Sequence, residues 1–183
     1  MKKTVAAFAA ALVASASAFA AADPSANLSR PFVEYVGAGP IGNNNLNVGT
    51  FYWMHESTGT WMGQDVNSWF LIWDPYSNGV KGTIDFDGAI LGVMDERAEL
   101  IATAGFGKSG VAYDYSRAAV GLEATDRANT SFSGEVLSLA WNASNPGDHA
   151  RVFTAAIPEP QTYALMLVGL AAVGFMARRR RPD

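Results

Sequence analysis

Two histidines, His55 and His149, are the only imidazole side chains in the 183-residue sequence, which has no cysteine. His55-Glu56 begins the zinc-protease pattern His-Glu-x-x-His, but Gly59 stands where the second histidine must be. The sequence also lacks Gly-x-Ser-x-Gly, the turn that presents a serine nucleophile. We therefore expect a non-enzymatic protein in which both histidines occupy surface or turn positions. The alternative is a secreted hydrolase whose triad comes from distant positions.

A glycine-rich stretch and a set of aspartates are the candidate cofactor and metal sites. Residues 37–42 match the letters Gly-x-Gly-x-x-Gly, but three asparagines follow and no helix opens to bind a pyrophosphate. We interpret the stretch as a turn and expect no cofactor. Carboxylate oxygens suit calcium, and the candidates are Asp74, Asp85, Asp87, Asp95 and Asp126. Because they are scattered, we expect no metal, with a structural calcium as the alternative.

The charge of the central region indicates what it does not bind. Between residues 23 and 157 there are 15 acidic and 7 basic residues, so the net charge is near −8. Nucleic-acid phosphates require a basic surface, so we expect no nucleic-acid partner. An acidic surface is well solvated and attracts cations.

Aromatic side chains form the other conspicuous group in this region. They are Phe51, Tyr52, Trp53, Trp61, Trp69 and Trp73. In a domain without disulfides we expect most of them to pack in the core. Outward-facing aromatics would instead stack on sugar rings, which makes a carbohydrate (exopolysaccharide) binding module the alternative function. Trp61 lies among Thr58, Gly59, Thr60 and Gly63, so we expect it in an exposed turn.

The elements that would position these residues are short strands separated by Gly, Asn, Asp and Pro. The runs are Phe32–Val36, Phe51–Met54, Trp69–Trp73, Thr83–Asp87, Ala89–Met94, Val111–Tyr115, Val136–Trp141 and Arg151–Thr154. Alternation of apolar and polar residues is typical of half-buried strands. The spacing predicts a mainly β domain over residues 23–157, a β-sandwich of jelly-roll kind.

Four details refine this prediction. Trp69–Trp73 is continuously apolar, which predicts a strand covered on both faces. Asp87-Gly88 between two runs predicts a hairpin. Good helix formers predict one brief helix around Asp95–Ala104. In Val136–Trp141 the alternation places Leu137, Leu139 and Trp141 inward.

Both ends of the chain have the composition of processing segments. Residues 1–22 have a basic start, an apolar alanine-rich stretch and a small-residue exit, which predicts a signal helix cleaved by signal peptidase after Ala20 or Ala22. The other end has Pro158-Glu159-Pro160, an apolar run over residues 163–177, and then Arg178, Arg179, Arg180 and Arg181. As a helix this run spans only roughly 22 Å of a roughly 30 Å hydrocarbon layer. The arginines favour the cytoplasmic side and act as a membrane stop.

In this order, these C-terminal parts resemble the PEP-CTERM sorting signal of Gram-negative bacteria, over residues 158–183. The resemblance implies recognition of Pro158, Glu159 and Pro160 by exosortase, a membrane-embedded transpeptidase-like enzyme. It also implies a transmembrane helix at residues 163–177 and delivery to the cell surface or exopolysaccharide matrix. The stretches 66–75, 82–94, 121–126 and 145–152 resemble a module often found ahead of such tails. We therefore expect an exported surface or matrix protein with a structural or interaction domain.

Overall fold

The computed structural model describes residues 21–43, 45–46, 48–75, 77–144, 146–157 and 166–173. The chain divides into two units. One is the compact unit Phe19–Ile157, and the other comprises the terminal segments Met1–Ala18 and Pro158–Asp183. The predicted signal helix lies outside the described residues.

The described part of the compact unit is built mainly from strands. They are β1 Ser25–Leu28, β2 Phe32–Glu34, β3 Phe51–Trp61, β4 Gln64–Trp73, β5 Asn78–Asp85, β6 Ile90–Met94, β7 Ser131–Ser133, β8 Val136–Ala143 and β9 Asp148–Ala155. The helices are α1 Arg97–Ala102, a 3-10 helix Ala104–Phe106, and α2 Ala124–Ala128. One sheet has the order β1-β5-β8-β7 and the other β2-β3-β4-β9-β6. All pairs are antiparallel except β2 with β3.

The two sheets share one apolar core. Phe51, Trp69 and Trp73 of the five-stranded sheet cluster with Leu137 and Trp141 of the four-stranded sheet. The rings of Phe51 and Trp141 meet across the gap with centroids 5.3 Å apart. The prediction of a mainly β fold is confirmed. The described residues form two packed sheets, and the jelly-roll detail stays a prediction.

Strand β4 is the centre of the larger sheet and is covered on both faces. Trp69, Leu71 and Trp73 face the shared core, whereas Phe70 and Ile72 belong to a second apolar cluster on the other face. All five are no more than 1% exposed, so the predicted doubly covered strand is confirmed. The inward positions of Leu137, Leu139 and Trp141 are confirmed as well.

Two local predictions were wrong. Asp87-Gly88 does not close a hairpin, because the strands on either side of it belong to different sheets. The hairpin turn between β3 and β4 is instead Met62-Gly63, where both φ angles are positive, at 49° and 80°. Val111–Tyr115 is not a strand and makes only an isolated bridge, from Tyr113 to Ile41.

The predicted brief helix corresponds to α1, which is shorter than expected. Its N-terminus has a capping box in which Glu96 and Glu99 each accept from the other's backbone. Leu100 is its buried residue and anchors it to the second apolar cluster.

In the C-terminal unit, residues 166–173 form a helix whose side chains are exposed. Among the described residues, no helix combines the length and apolar character needed to cross a bilayer.

Candidate functional site

The outer face of the five-stranded sheet holds a buried ion pair. The Arg151 guanidinium donates to both carboxylate oxygens of Glu56, at 2.5 Å and 2.8 Å. Its remaining nitrogen donates to the Leu100 carbonyl at 3.1 Å and the Thr103 hydroxyl at 2.7 Å. Ser68 donates a further bond to Glu56 at 2.7 Å. Because donors and acceptors are matched, this cluster joins α1 to the sheet as a structural feature.

The inner face holds a second group of carboxylates at one end of the core. Asp148 begins β9, and Glu123 and Asp126 lie at the start of α2. One oxygen from each of the three residues lies within 4.8 Å of the others. We refer to Glu123, Asp126 and Asp148 as the acidic cluster. Carboxylate oxygens at this spacing are suited to a hard divalent cation.

Asp148 is the most unusual member of the acidic cluster. It is fully buried, and neither carboxylate oxygen has a hydrogen-bond donor in the part of the chain that the structure describes. Its pKa is raised to about 9, first by burial, then by the side chain of Glu123 as a hydrogen-bonding neighbour, and then by the negative charges of Asp126, Glu123 and Asp74. Burial also raises the pKa of Asp126, although the Asn142 amide donates to that carboxylate at 3.2 Å.

Asp74 brings a fourth carboxylate to this end of the fold. It follows β4, and its Oδ2 accepts from the Leu46 amide at 3.0 Å. Its Oδ1 lies against Gly147, where an added Cβ would be only 2.3 Å away. Gly147 has a φ of 88°, so both its backbone angle and its lack of a side chain let this loop approach Asp74.

The two histidines do not form a catalytic group. His149 is fully buried, and both ring nitrogens lack a hydrogen-bond partner among the described residues. Burial lowers its pKa to about 4. His55 is half-buried beside Asn67 and Trp69, and burial lowers its pKa as well. The expected surface position of His149 was therefore wrong, and this geometry gives the hydrolase alternative no support at either histidine.

Four of the five tryptophans face inward, and Trp61 is half-buried. Trp53, Trp69, Trp73 and Trp141 are each at most 6% exposed. Trp61 ends β3 and stacks on Phe153 with ring centroids 4.8 Å apart, so its predicted place in an exposed turn was wrong. The four buried rings are not available for stacking on a polysaccharide, and Trp61 by itself does not make an outward row of tryptophans.

The five aspartates proposed from the sequence are dispersed in the fold. Only Asp126 belongs to the acidic cluster, with Asp74 adjacent to it. Asp85 is exposed, Asp87 accepts from the Ala22 amide at 2.8 Å, and the pKa of Asp95 is raised by burial.

Sequence reasoning missed Glu123 and Asp148. Glu123 is three residues before Asp126, a spacing that places two side chains on one helix face and could have been noticed. Asp148 had no such signal, because its proximity to Glu123 and Asp126 arises only in the tertiary structure.

The residues predicted to direct processing lie mostly beyond the described ranges. Ala22 is exposed at the start of the compact unit. Ala20, Pro158, Glu159 and Pro160 are outside the described residues, and so are the four arginines at 178–181.

Comparison with known proteins identifies the C-terminal segment. Residues 156–181 match the family model of the PEP-CTERM protein-sorting motif. No curated protein and no solved structure matches the chain. The chain therefore carries a PEP-CTERM sorting motif, and the resemblance of this segment is confirmed.

Proposed function

We propose that this is an exported surface or matrix protein that exosortase processes through its C-terminal motif. The observation that carries the proposal is the PEP-CTERM match at residues 156–181. Signal peptidase would remove residues 1–22 during export. The apolar run 163–177 would then hold the chain in the membrane, with Arg178–Arg181 on the cytoplasmic side.

The physical chemistry of the motif supports this route. The two prolines fix their φ angles and remove two backbone donors, so Pro158-Glu159-Pro160 favours an extended conformation ahead of the apolar run. An extended tripeptide at the outer membrane face is accessible to a membrane enzyme. Four arginines resist entry into hydrocarbon, which keeps the tripeptide at a constant depth.

We infer a structural or interaction role for the compact unit. Four of its five tryptophans pack in the core, and among the described residues neither histidine has the hydrogen-bond partners of a catalytic triad. The excess of acidic side chains keeps the domain soluble after export. These features favour a stable exported domain over the sugar-binding and hydrolase alternatives.

The intact mass of the surface protein tests the sorting route. In cells with exosortase we expect a product that has lost the residues after Pro158-Glu159-Pro160, and in cells without it a chain ending at Asp183. Replacing Pro158-Glu159-Pro160 with three alanines should block processing without preventing membrane insertion. Replacing Arg178–Arg181 with serines should reduce processing, because the tail can then slip outward.

Gln161→Ala provides a matched control immediately after the tripeptide, and it should be processed normally. A surface protein that still ends at Asp183 with and without exosortase would refute the route and leave a simple single-pass anchor.

A further inference from the structure

A carboxylate faces inward at the edge of the shared core. Asp148 pairs with Trp73 in the ladder between β4 and β9, so both side chains lie on the face that packs against the other sheet. Asp148 is 0% exposed, and neither of its oxygens has a donor among the described residues. A buried carboxylate in this situation requires either a proton or a cation.

The other two carboxylates complete a set of ligands around it. One carboxylate oxygen from each of the three residues lies within 4.8 Å of the other two, and this spacing suits a shared ion. Calcium binds oxygens at 2.3–2.6 Å, so two of its ligands on opposite sides are about 5 Å apart. Glu123 is exposed, so one member of the acidic cluster is in contact with solvent.

The basic residue of α2 is engaged elsewhere. Arg127 Nη1 donates to the Leu122 carbonyl at 3.3 Å and lies 3.2 Å from a carboxylate oxygen of Glu96. The charges that act on Asp148 are those of Asp126, Glu123 and Asp74, and all three are acidic. The acidic cluster thus concentrates carboxylates without a basic partner among the described residues, whereas the charges of the Glu56–Arg151 pair are matched.

We propose that Glu123, Asp126 and Asp148 bind one divalent cation, calcium, with Asp74 adding negative charge beside them. A set made only of oxygen ligands favours calcium over zinc, which prefers nitrogen and sulfur. Magnesium dehydrates reluctantly and is seldom held by an all-protein cage. The choice of calcium rests on the proposed export, because extracellular modules bind it with dissociation constants of about 10⁻⁴–10⁻³ M.

Such an ion would add a second link between the two sheets, beside the apolar core that they already share. Asp148 belongs to the five-stranded sheet. Helix α2 is bonded to the four-stranded sheet, through the Asn142 amide on Asp126 and the Ala140 amide on the Asn129 carbonyl. The ion would therefore fasten both sheets at one end of the domain.

Calorimetric titration of the full chain in a mild detergent tests the proposal, with CaCl₂ added after removal of metal by EDTA. We expect one saturable site per chain. Unfolding followed by tryptophan fluorescence reports on the compact unit, because all five tryptophans belong to it. Calcium at about 10 mM should raise Tm by roughly 3–8 °C, and magnesium at that concentration should raise it less.

Three variants make the test specific. Asp148→Asn should abolish the rise in Tm, whereas Asp85→Asn, which removes one exposed carboxylate elsewhere, should retain it. If Asp148→Asn does not fold, Glu123→Gln at an exposed position should still weaken calcium binding by about tenfold or more.

Three results would each overturn the proposal. The first is the absence of saturable heat up to 10 mM calcium. The second is a calcium-induced rise in Tm that is equal in wild type and Asp148→Asn. The third is a rise in Tm with magnesium that equals the rise with calcium. The C-terminal mass measurement is independent of all of them, so a failure of the cation site is distinguishable from a failure of the sorting route.

Discussion

Two buried carboxylates lie on opposite faces of the same sheet, and their surroundings differ. Glu56 on the outer face accepts from Arg151 and Ser68. Asp148 on the inner face has no donor among the described residues, and two other carboxylates lie near it. Both side chains are buried, so the difference lies in charge matching and not in solvent access.

This difference separates a structural role from a binding role. A charge pair whose bonds are all made has no capacity left for a ligand, and its removal affects folding. A buried carboxylate without a donor has coordination capacity that a proton or a cation can fill. The following changes would test that separation.

The largest expected effect comes from breaking the matched pair. Glu56→Gln leaves the Arg151 guanidinium buried without a counter-charge, and we expect a loss of about 3–5 kcal/mol of unfolding free energy. Urea denaturation followed by tryptophan fluorescence measures it. Combining Glu56→Gln with Arg151→Met should cost less than Glu56→Gln alone, because both charges are then removed. A single-variant loss below about 1 kcal/mol would show that the pair is not the structural element described.

A smaller effect is expected at the loop that leads into the acidic cluster. Gly147→Ala places a Cβ against Asp74 and a side chain at positive φ, so we expect a loss of about 2–3 kcal/mol. Gly63 has a similar φ of 80° but no atom within 4 Å of an added Cβ. Gly63→Ala is therefore the matched control, and it should cost about 1–2 kcal/mol. Equal losses in the two variants would mean that crowding against Asp74 contributes nothing.

The smallest expected effect is a pH response on the outer face. His149 lies on the same face of β9 as Arg151, and burial lowers its pKa from 6.5 to about 4. The unfolded chain therefore binds a proton first, and stability falls as the pH decreases from about 6.5 towards 4. Between pH 7 and 5 we expect His149 to contribute a loss of about 2 kcal/mol. Asp148, whose folded-state pKa is raised to about 9, contributes in the opposite direction over this interval, so only the difference from a variant without His149 isolates the histidine.

The control for this response is His149→Gln, which does not titrate. Its urea denaturation curves should lose less stability than wild type over the same pH interval. An identical pH profile in the two proteins would assign the acid sensitivity to other groups.

Local pattern was sufficient for much of the fold. The alternation in Val136–Trp141 placed its apolar residues inward, and the continuous run Trp69–Trp73 indicated a central strand. Side-chain direction has a period of two along any strand, so it can be read without knowing the partner strand. Strand partners could not be read in this way, as the failed hairpin at Asp87-Gly88 shows, because pairing depends on residues far apart in the chain.

The sorting motif and the acidic cluster mark the two limits of sequence reading. The motif was identified from sequence because its parts are contiguous between residues 156 and 181, where an enzyme can recognise them in a linear chain. The Glu56–Arg151 pair joins residues 95 positions apart, and Asp148 meets Glu123 and Asp126 only after β9 pairs with β4. The sequence by itself determined which charges are present. Only the tertiary structure decided which of them are matched, because burial and the distance between charges both arise from long-range packing.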